Sequence, residues 1–178
     1  MISGELIEII TADDLRGITK IRQEAFKGTA INKITIPKNI ETIDYNAFSY
    51  SKFTSIVFED DINCTFANAL FSYTSELIEI ELPNCITKLG ANTFTNSGVQ
   101  RITVGNAVTI VDTYSVNGCG NLESFTIKTI NPPYLSSLAF QNSKSGFLIY
   151  VPAESLEAYK SATNWSQYAD QIYPITEE

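Results

Sequence analysis

The chain repeats one pattern of apolar and polar positions about every 22 residues. Copies of the pattern begin at Ile18, Ile40, Ile62, Ile86 and Val108. In the first copy the apolar positions are Ile18, Ile21, Phe26, Ile31, Ile34 and Ile36. A unit this short has no core of its own, so its apolar side is buried only against the neighbouring units. The pattern therefore predicts a solenoid of stacked coils.

Each unit divides into two halves with different expected structures. The half that ends in Ile-x-Ile, as in Ile102-Thr103-Val104, alternates apolar and polar residues and predicts a half-buried strand. Equivalent strands of successive coils would stack at about 4.8 Å into a parallel sheet. The other half, as in Asn46-Ala47-Phe48 and Asn92-Thr93-Phe94, predicts a short helical or tight turn on the return path. Its phenylalanine should point into the core.

The repeats divide the chain into three segments. Residues 1–17 read as a partial N-terminal repeat, because Leu6-Ile7-Glu8-Ile9 matches Leu77-Ile78-Glu79-Ile80. About six units follow over residues 18–152, and residues 153–178 form a C-terminal cap. The chain is thus expected to be a fragment of a longer protein, or one whose leader has been removed.

Two units depart from the regular pattern. The third unit, 62–85, is two residues longer than the others, and Phe71 and Leu77 are each displaced by one position. Such additions are expected in loops, because a strand that slips by one residue turns its apolar side outward. In the sixth unit, Pro132-Pro133 breaks the usual opening and blocks regular pairing.

The last segment departs from the repeat pattern. Residues 153–162 are good helix formers that place Leu156, Tyr159 and Ala162 on one face. Four more large residues follow at Trp165, Tyr168, Ile172 and Ile175. The end of a solenoid exposes an apolar cross-section, so this segment is expected to cover it. An aromatic ligand site at Trp165 is the alternative.

Charge and hydropathy exclude several classes of partner. The net charge is −8, with 12 basic and 20 acidic residues and no basic cluster, so nucleic acids and anionic membranes are disfavoured. No stretch approaches the roughly 18 apolar residues of a membrane-spanning helix. The N-terminus shows no signal-peptide pattern.

The residues that usually carry chemistry are missing or scattered. The chain has no histidine, which excludes Ser-His-Asp and Cys-His catalysis and a Cys/His zinc site. It has no phosphate-binding glycine motif. Asp13-Asp14 and Asp60-Asp61 fit solvated turns better than an acid/base pair or a calcium site. The sequence therefore predicts no cofactor and no metal site, and an enzyme that uses carboxylates alone is the least favoured function.

The three cysteines, Cys64, Cys85 and Cys119, share no repeat position and form no C-x-x-C motif. Buried, inert thiols are the expected state, because cysteine is among the most buried residue types. Cys119 lies in the turn Asn117-Gly118-Cys119-Gly120-Asn121, and its side chain is expected to be buried beneath the coil. An oxidising compartment would allow a Cys64–Cys85 disulfide.

Three stretches resemble the BspA-like leucine-rich repeat family of bacterial surface proteins. Residues 34–48 (I-T-I-P-K-N-I-E-T-I-D-Y-N-A-F) and 108–127 (V-T-I-V-D-T-Y-S-V-N-G-C-G-N-L-E-S-F-T-I) are similar to its repeat in length and apolar order. Residues 149–175 resemble the segment that closes many such arrays.

The resemblance implies an α/β fold, a right-handed leucine-rich repeat solenoid. Its parallel sheet would form the concave face, with short helical or turn segments on the return path and a helical C-terminal cap. The resemblance further implies an extracellular or surface-anchored bacterial protein used for adhesion, and members of the family are not enzymes as a rule. Fold-level likeness does not identify the ligand.

The expected binding face is formed by the outward side chains of the strands. Its candidate residues are Lys33, Thr35, Ser55, Val57, Glu79, Glu81, Arg101, Thr103, Ser124, Thr126 and Tyr150. Such a face offers on the order of 400–500 Å², against about 800 Å² per partner in a standard interface. Together with the resemblance, which implies adhesion to a protein or glycan such as a host matrix component, this area predicts a weak, non-enzymatic binding module helped by loops or by avidity. A structural spacer or stalk is the alternative.

Overall fold

The computed structural model describes residues 8–176, which form short parallel strands in two rows. The long row contains β1 (Ile9–Ile10), β3 (Lys33–Ile36), β5 (Ser55–Phe58), β7 (Glu79–Glu81), β9 (Arg101–Val104), β11 (Ser124–Ile127), β13 (Leu148–Val151) and β14 (Ile172–Pro174). The short row contains β2 (Lys20–Ile21), β4 (Thr42–Ile43), β6 (Thr65–Phe66), β8 (Lys88–Leu89), β10 (Ile110–Val111) and β12 (Tyr134–Leu135). All pairings are parallel, as the repeat pattern predicts for a solenoid.

The long row follows the predicted alternation of buried and outward residues. In β9, Ile102 and Val104 are buried, whereas Arg101 is exposed and Thr103 is half-buried. Ile102 is in register with Ile80 on one side and Phe125 on the other. Each coil thus buries its apolar strand residues against those of its neighbours, and the strand prediction is confirmed.

The short row was not predicted. Each of its strands has only two residues, and in every strand except β6 one of these is buried, as with Ile43, Leu89 and Val111. These are the second apolar positions of the repeat openings. They line the core from a side different from that of the long strands, because the chain bends between the two rows.

The return path consists of tight turns joined from coil to coil by backbone hydrogen bonds. The Phe48 N–H donates to the Leu70 carbonyl (3.1 Å), and the Phe71 N–H donates to the Thr93 carbonyl (2.8 Å). The phenylalanines of these turns stack in a column from Phe26 through Phe48 and Phe71 to Phe94, with centroids 5.6, 5.5 and 5.3 Å apart. The expected turns with buried aromatic residues are therefore confirmed.

Left-handed residues make these turns tight. The second coil has Asn46 and Tyr50 at φ 58°, and the fourth has Asn92 and Asn96 at 58° and 55°. Asparagine tolerates this conformation better than most residues because its side chain bonds locally. The turns therefore bend without forming an α-helix.

The long row is interrupted between the second and the third coil, and the short row between the third and the fourth. The long row divides into β1-β3-β5 and β7-β9-β11-β13-β14, and the short row into β2-β4-β6 and β8-β10-β12. The two extra residues of the third unit lie here, one between β5 and β6 and one between the turn and β7. Phe71 and Leu77 nevertheless remain fully buried. At each junction the other row still pairs, β4 with β6 and β7 with β9, and the turns and the core continue across both.

One predicted core position is wrong. Ile18 is 41% exposed, although it was expected to anchor the first repeat. It lies next to β2, which is the outermost strand of its row within residues 8–176, so no described coil covers its outer side. Leu6 and Ile7, expected to belong to a partial repeat, lie outside the described residues. Ile9 and Ile10, which follow them, pair with Lys33 and Ile34.

The C-terminal segment covers the last coil. A 3₁₀ helix (Ala153–Ser155) leads into the short helix α1 (Leu156–Ser161), and a second 3₁₀ helix (Ser166–Gln171) follows. Tyr159 and Trp165 are fully buried and pack edge to face, with centroids 5.0 Å apart. Their polar atoms bond back to the solenoid, because the Tyr159 hydroxyl donates to the Thr129 carbonyl (2.9 Å) and the Trp165 indole donates to the Pro133 carbonyl (2.8 Å).

The cap also contributes β14, which the sequence did not predict. Ile172 pairs with Ile149 of β13, and the Ile175 N–H donates to the Val151 carbonyl. Pro174 stands where a backbone N–H would point away from β13, so it removes a donor from the outer edge of the sheet. Because the Trp165 ring is fully buried by its own chain, it has no face open to a ligand, and the alternative of an aromatic ligand site is wrong.

We predict that Phe94→Ala destabilises the fold by about 3–5 kcal/mol, because it removes a fully buried ring from the aromatic column. Ile130→Ala is the control, since Ile130 is 51% exposed and its truncation should cost less than about 0.5 kcal/mol. Urea unfolding of both variants measures the difference. Equal urea midpoints for the two variants would show that the Phe94 ring is not buried in the core.

We predict that Tyr159→Phe costs about 1–3 kcal/mol, because the buried Thr129 carbonyl loses its hydroxyl donor. The matched change Tyr173→Phe removes an exposed hydroxyl that donates to the Asp170 carbonyl at 3.3 Å, and it should be nearly neutral. Thermal melts compare the two. A larger loss for Tyr173→Phe would contradict the proposed docking of the cap.

Candidate functional site

The long row orders most of the candidate residues into two outward lines. Glu79, Arg101 and Ser124 are in register along the first line. Thr103, Thr126 and Tyr150 continue the second line after Glu81. In the N-terminal part of the row, Lys33 pairs with Ser55 and Thr35 with Val57. The break between β5 and β7 separates the two parts of both lines.

A cleft of about 680 Å³ opens on this face at the break. It is lined by eight of the eleven candidate residues: Ser55, Val57, Glu79, Glu81, Arg101, Thr103, Ser124 and Thr126. Lys33, Thr35 and Tyr150 lie outside it. Two loops complete the lining, residues 59–62 after β5 and residues 82–84 after β7. The cleft therefore combines strand faces with loops, at the place where strand pairing stops.

The charges on the strand face of the cleft are paired within the chain. The Arg101 guanidinium donates to Glu79 Oε2 from both Nε (3.1 Å) and Nη2 (2.8 Å), and it reaches Glu123 at 3.5 Å. The hydrogen bonds to Glu79 are the main reason that the pKa of Arg101 lies above its usual value, and the nearby Glu123 carboxylate adds to this shift. Lys128 Nζ lies 2.6 Å from Glu81 Oε1. Both pairs are exposed, so they position side chains more than they stabilise the fold.

One rim of the cleft is acidic. Glu59, Asp60 and Asp61 follow β5 directly, and Glu59 Oε2 accepts the Lys38 backbone N–H at 3.0 Å. Asp60 and Asp61 are exposed, as expected for a solvated turn. Arg101 is the single basic residue among those that line the cleft, and its charge is already shared with Glu79. The rim therefore carries a net negative charge.

The structure adds exposed aromatic residues that the sequence did not single out. Tyr173 of β14 lies in register with Tyr150 and is 46% exposed. On the turn side, Tyr50 and Tyr73 stack with centroids 4.4 Å apart and planes 6° from parallel, and they are 53% and 41% exposed. Tyr50 and Tyr73 occupy equivalent positions in adjacent units, and this equivalence could have suggested that they stack. Repeat spacing alone does not show whether a turn residue is buried or exposed.

The other polar clusters have local roles. Asp13 pairs with Arg16 at 2.6 Å, and Asp14 accepts hydrogen bonds from the Thr11 N–H and hydroxyl, which lower the pKa of Asp14. Within residues 8–176, no three His, Cys, Asp or Glu side chains converge as metal ligands. The described part of the chain also holds no helix that could span a membrane.

The cysteines differ in burial. Cys119 is fully buried under its turn, and Cys64 is 3% exposed, as expected of core thiols. Cys85 is only half-buried, so the expectation of a buried thiol is wrong there. It lies at the edge of the interrupted short row, where the neighbouring coil covers it incompletely. All three are free thiols.

The comparisons with known proteins support the repeat assignment. The model of the BspA type leucine-rich repeat region matches six copies over residues 19–146. The crystal structure of the pneumococcal vaccine antigen PcpA is similar, with a TM-score of 0.68 and 24% identity over 78% of this chain. This chain spans 37% of that structure's length. No curated protein sequence matches it.

The parallel strands in register, the tight turns and the small helical cap agree with this match, so the fold is a leucine-rich repeat solenoid. Such families are typically non-enzymatic and generally bind proteins. With six matched copies covering most of its length, the chain belongs to the BspA type leucine-rich repeat family.

Proposed function

We propose that this chain is a non-enzymatic binding or adhesion module of a surface or secreted bacterial protein, and that the strand-face cleft contacts its ligand. The observation that carries the proposal is the cleft of about 680 Å³ lined by eight of the candidate residues. Repeat solenoids commonly use such an extended face for binding. The family and the similar pneumococcal antigen support the surface location.

The chemistry of the cleft favours a protein ligand with basic side chains. The loop residues Glu59, Asp60 and Asp61 give its rim a negative charge, while the strand residues are short and polar. Lysine and arginine side chains would pair with this rim, whereas a sulfated or sialylated glycan would be repelled. The cleft is smaller than a standard interface, so a single copy should bind weakly and an array should gain by avidity.

The proposed ligand surface predicts a selective effect of three neutralising changes. Glu79→Gln, Glu81→Gln and Arg101→Gln together should weaken binding of a basic matrix protein to the array at least tenfold. They remove the paired charges on the strand face of the cleft, whereas the acidic loop residues are kept. The melting temperature should stay near its original value, because exposed ion pairs contribute about 0–1 kcal/mol. Surface plasmon resonance against a panel of immobilised matrix proteins measures the affinity.

The control changes the net charge equally at another place. Glu41→Gln, Asp44→Asn and Lys88→Gln lie along the short row, outside the cleft. This variant should bind as the unchanged protein does. An equal loss of affinity in both variants would show that the effect comes from overall charge alone. Unchanged binding in the cleft variant would argue against the cleft as the ligand site.

A structural spacer is the second candidate, and one observation favours it. The strand-face charges Arg101, Glu79, Glu81 and Lys128 satisfy one another within the chain, as on a solvated surface without a ligand. A spacer should bind no member of the panel, and deletion of two whole repeats from the parent protein should shorten its reach while its binding is preserved. Loss of binding on that deletion would instead place the ligand site in the repeats.

A further inference from the structure

The interruption of the short row brings two cysteines together. Cys64 directly precedes β6 and Cys85 lies just before β8, in the neighbouring coil. Their sulfur atoms are 3.9 Å apart. Cys119 is separate from this pair, because its sulfur lies against the Phe94 carbonyl (3.1 Å) and the Ser97 hydroxyl (3.8 Å).

The cysteine pair occupies the place where backbone pairing fails. In the preceding coils the Thr65 N–H donates to the Glu41 carbonyl (2.9 Å), and in the following coils the Thr109 N–H donates to the Thr87 carbonyl (2.8 Å). Among residues 8–176, no bond of this kind joins Thr87 to Cys64. The Cys64 N–H instead donates to the sulfur of Cys85 at 3.3 Å. The sulfur atoms thus bridge the gap between the two coils.

We propose that Cys64 and Cys85 form an intramolecular disulfide under oxidising conditions, which links the third and fourth coils where the short row is interrupted. The proposal concerns stability and redox state, so it is independent of the ligand-binding function. It assigns a covalent role to a pair that the repeat pattern does not require, since neither cysteine recurs at its repeat position in other coils.

The geometry allows the bond with small movements. The sulfur atoms must approach from 3.9 Å to the disulfide distance of about 2.05 Å. A cavity of about 80 Å³, lined by Cys64, Phe66, Cys85 and Lys88 among others, leaves room for the side chains to rotate.

The unequal burial of the two thiols sets the order of the reaction. Cys85 is half-buried and reaches the cavity, whereas Cys64 is 3% exposed. Burial, and then the proximity of Cys85, raises the pKa of Cys64 to about 12. The thiolate is the attacking form, so Cys85 reacts first and Cys64 acts as the resolving thiol.

A disulfide of low molecular mass, such as oxidised glutathione, can supply the oxidising equivalents. The Cys85 thiolate attacks one glutathione sulfur, forms a mixed disulfide and releases one reduced glutathione. Cys64 then loses its proton and attacks the Cys85 sulfur, which forms the Cys64–Cys85 bond and expels the second glutathione. Two protein thiols are oxidised to one disulfide, and one oxidised glutathione is reduced to two thiols.

The test treats the unchanged chain with oxidised glutathione, denatures it and alkylates the free thiols with iodoacetamide. Mass spectrometry should show one alkylated cysteine of the three and no retained glutathione. Both cysteines lie in one tryptic peptide, 53–88, so cleavage after glutamate, for example at Glu76, is needed to separate them. The fragments should then be linked only between Cys64 and Cys85.

Thermal unfolding gives a second readout. The oxidised chain should melt roughly 5–10 °C above the reduced chain, as expected for closing a loop of this length. Cys119→Ala should keep the difference between oxidised and reduced samples, and Cys85→Ser should abolish it. Three alkylated cysteines after oxidation, glutathione retained on Cys85, or a disulfide between two chains would each overturn the proposal.

Discussion

The structure depends on the burial of each coil's apolar side against the next coil in register. No coil has enough apolar residues to form a core alone, so the strands and turns gain their stability from neighbours about 4.8 Å away. The column from Phe26 to Phe94 shows this arrangement most directly, with three successive centroid distances between 5.3 and 5.6 Å. The cap closes the last coil by burying Tyr159 and Trp165 and by adding one strand.

The third unit shows how the stack tolerates an irregular coil. Its two extra residues break the pairing of both strand rows, while the turns and the phenylalanine column continue without interruption. Two distinct features follow from this one local change. The cleft opens where β5 and β7 fail to pair, and the free thiols of Cys64 and Cys85 meet where β6 and β8 fail to pair. Both proposals therefore concern the irregular third coil: the cleft opens where it meets the second coil, and the cysteine pair lies where it meets the fourth.

The sequence predicted the long row and the buried phenylalanines, because alternation and 22-residue spacing report directly on which side chains face the core. It missed the short row, since two residues such as Thr42 and Ile43 are too few to show an alternation. The cleft could not be predicted either. The extra residues were visible in the sequence, but whether they bulge outward or separate two strands depends on packing between coils.

The candidate face was partly predictable for the same reason. Alternation assigned residues such as Glu79 and Arg101 to the outer side of the strands, and their register in the structure agrees. It did not show that the two side chains pair with each other, or that acidic loop residues border them. Ile18 illustrates the opposite error, because a position that is buried in inner coils is exposed where the row ends.

Amide hydrogen exchange measured by NMR tests the central claim most directly. If the turns and the core hold the coils together where the long row is interrupted between β5 and β7, the Phe71 and Phe94 amides should exchange slowly, as should the Arg101 amide that donates to the Ile78 carbonyl. The equivalent Glu79 amide, at the interruption, should exchange much faster. Equal protection of Glu79 and Arg101, or rapid exchange along the whole phenylalanine column, would contradict this account.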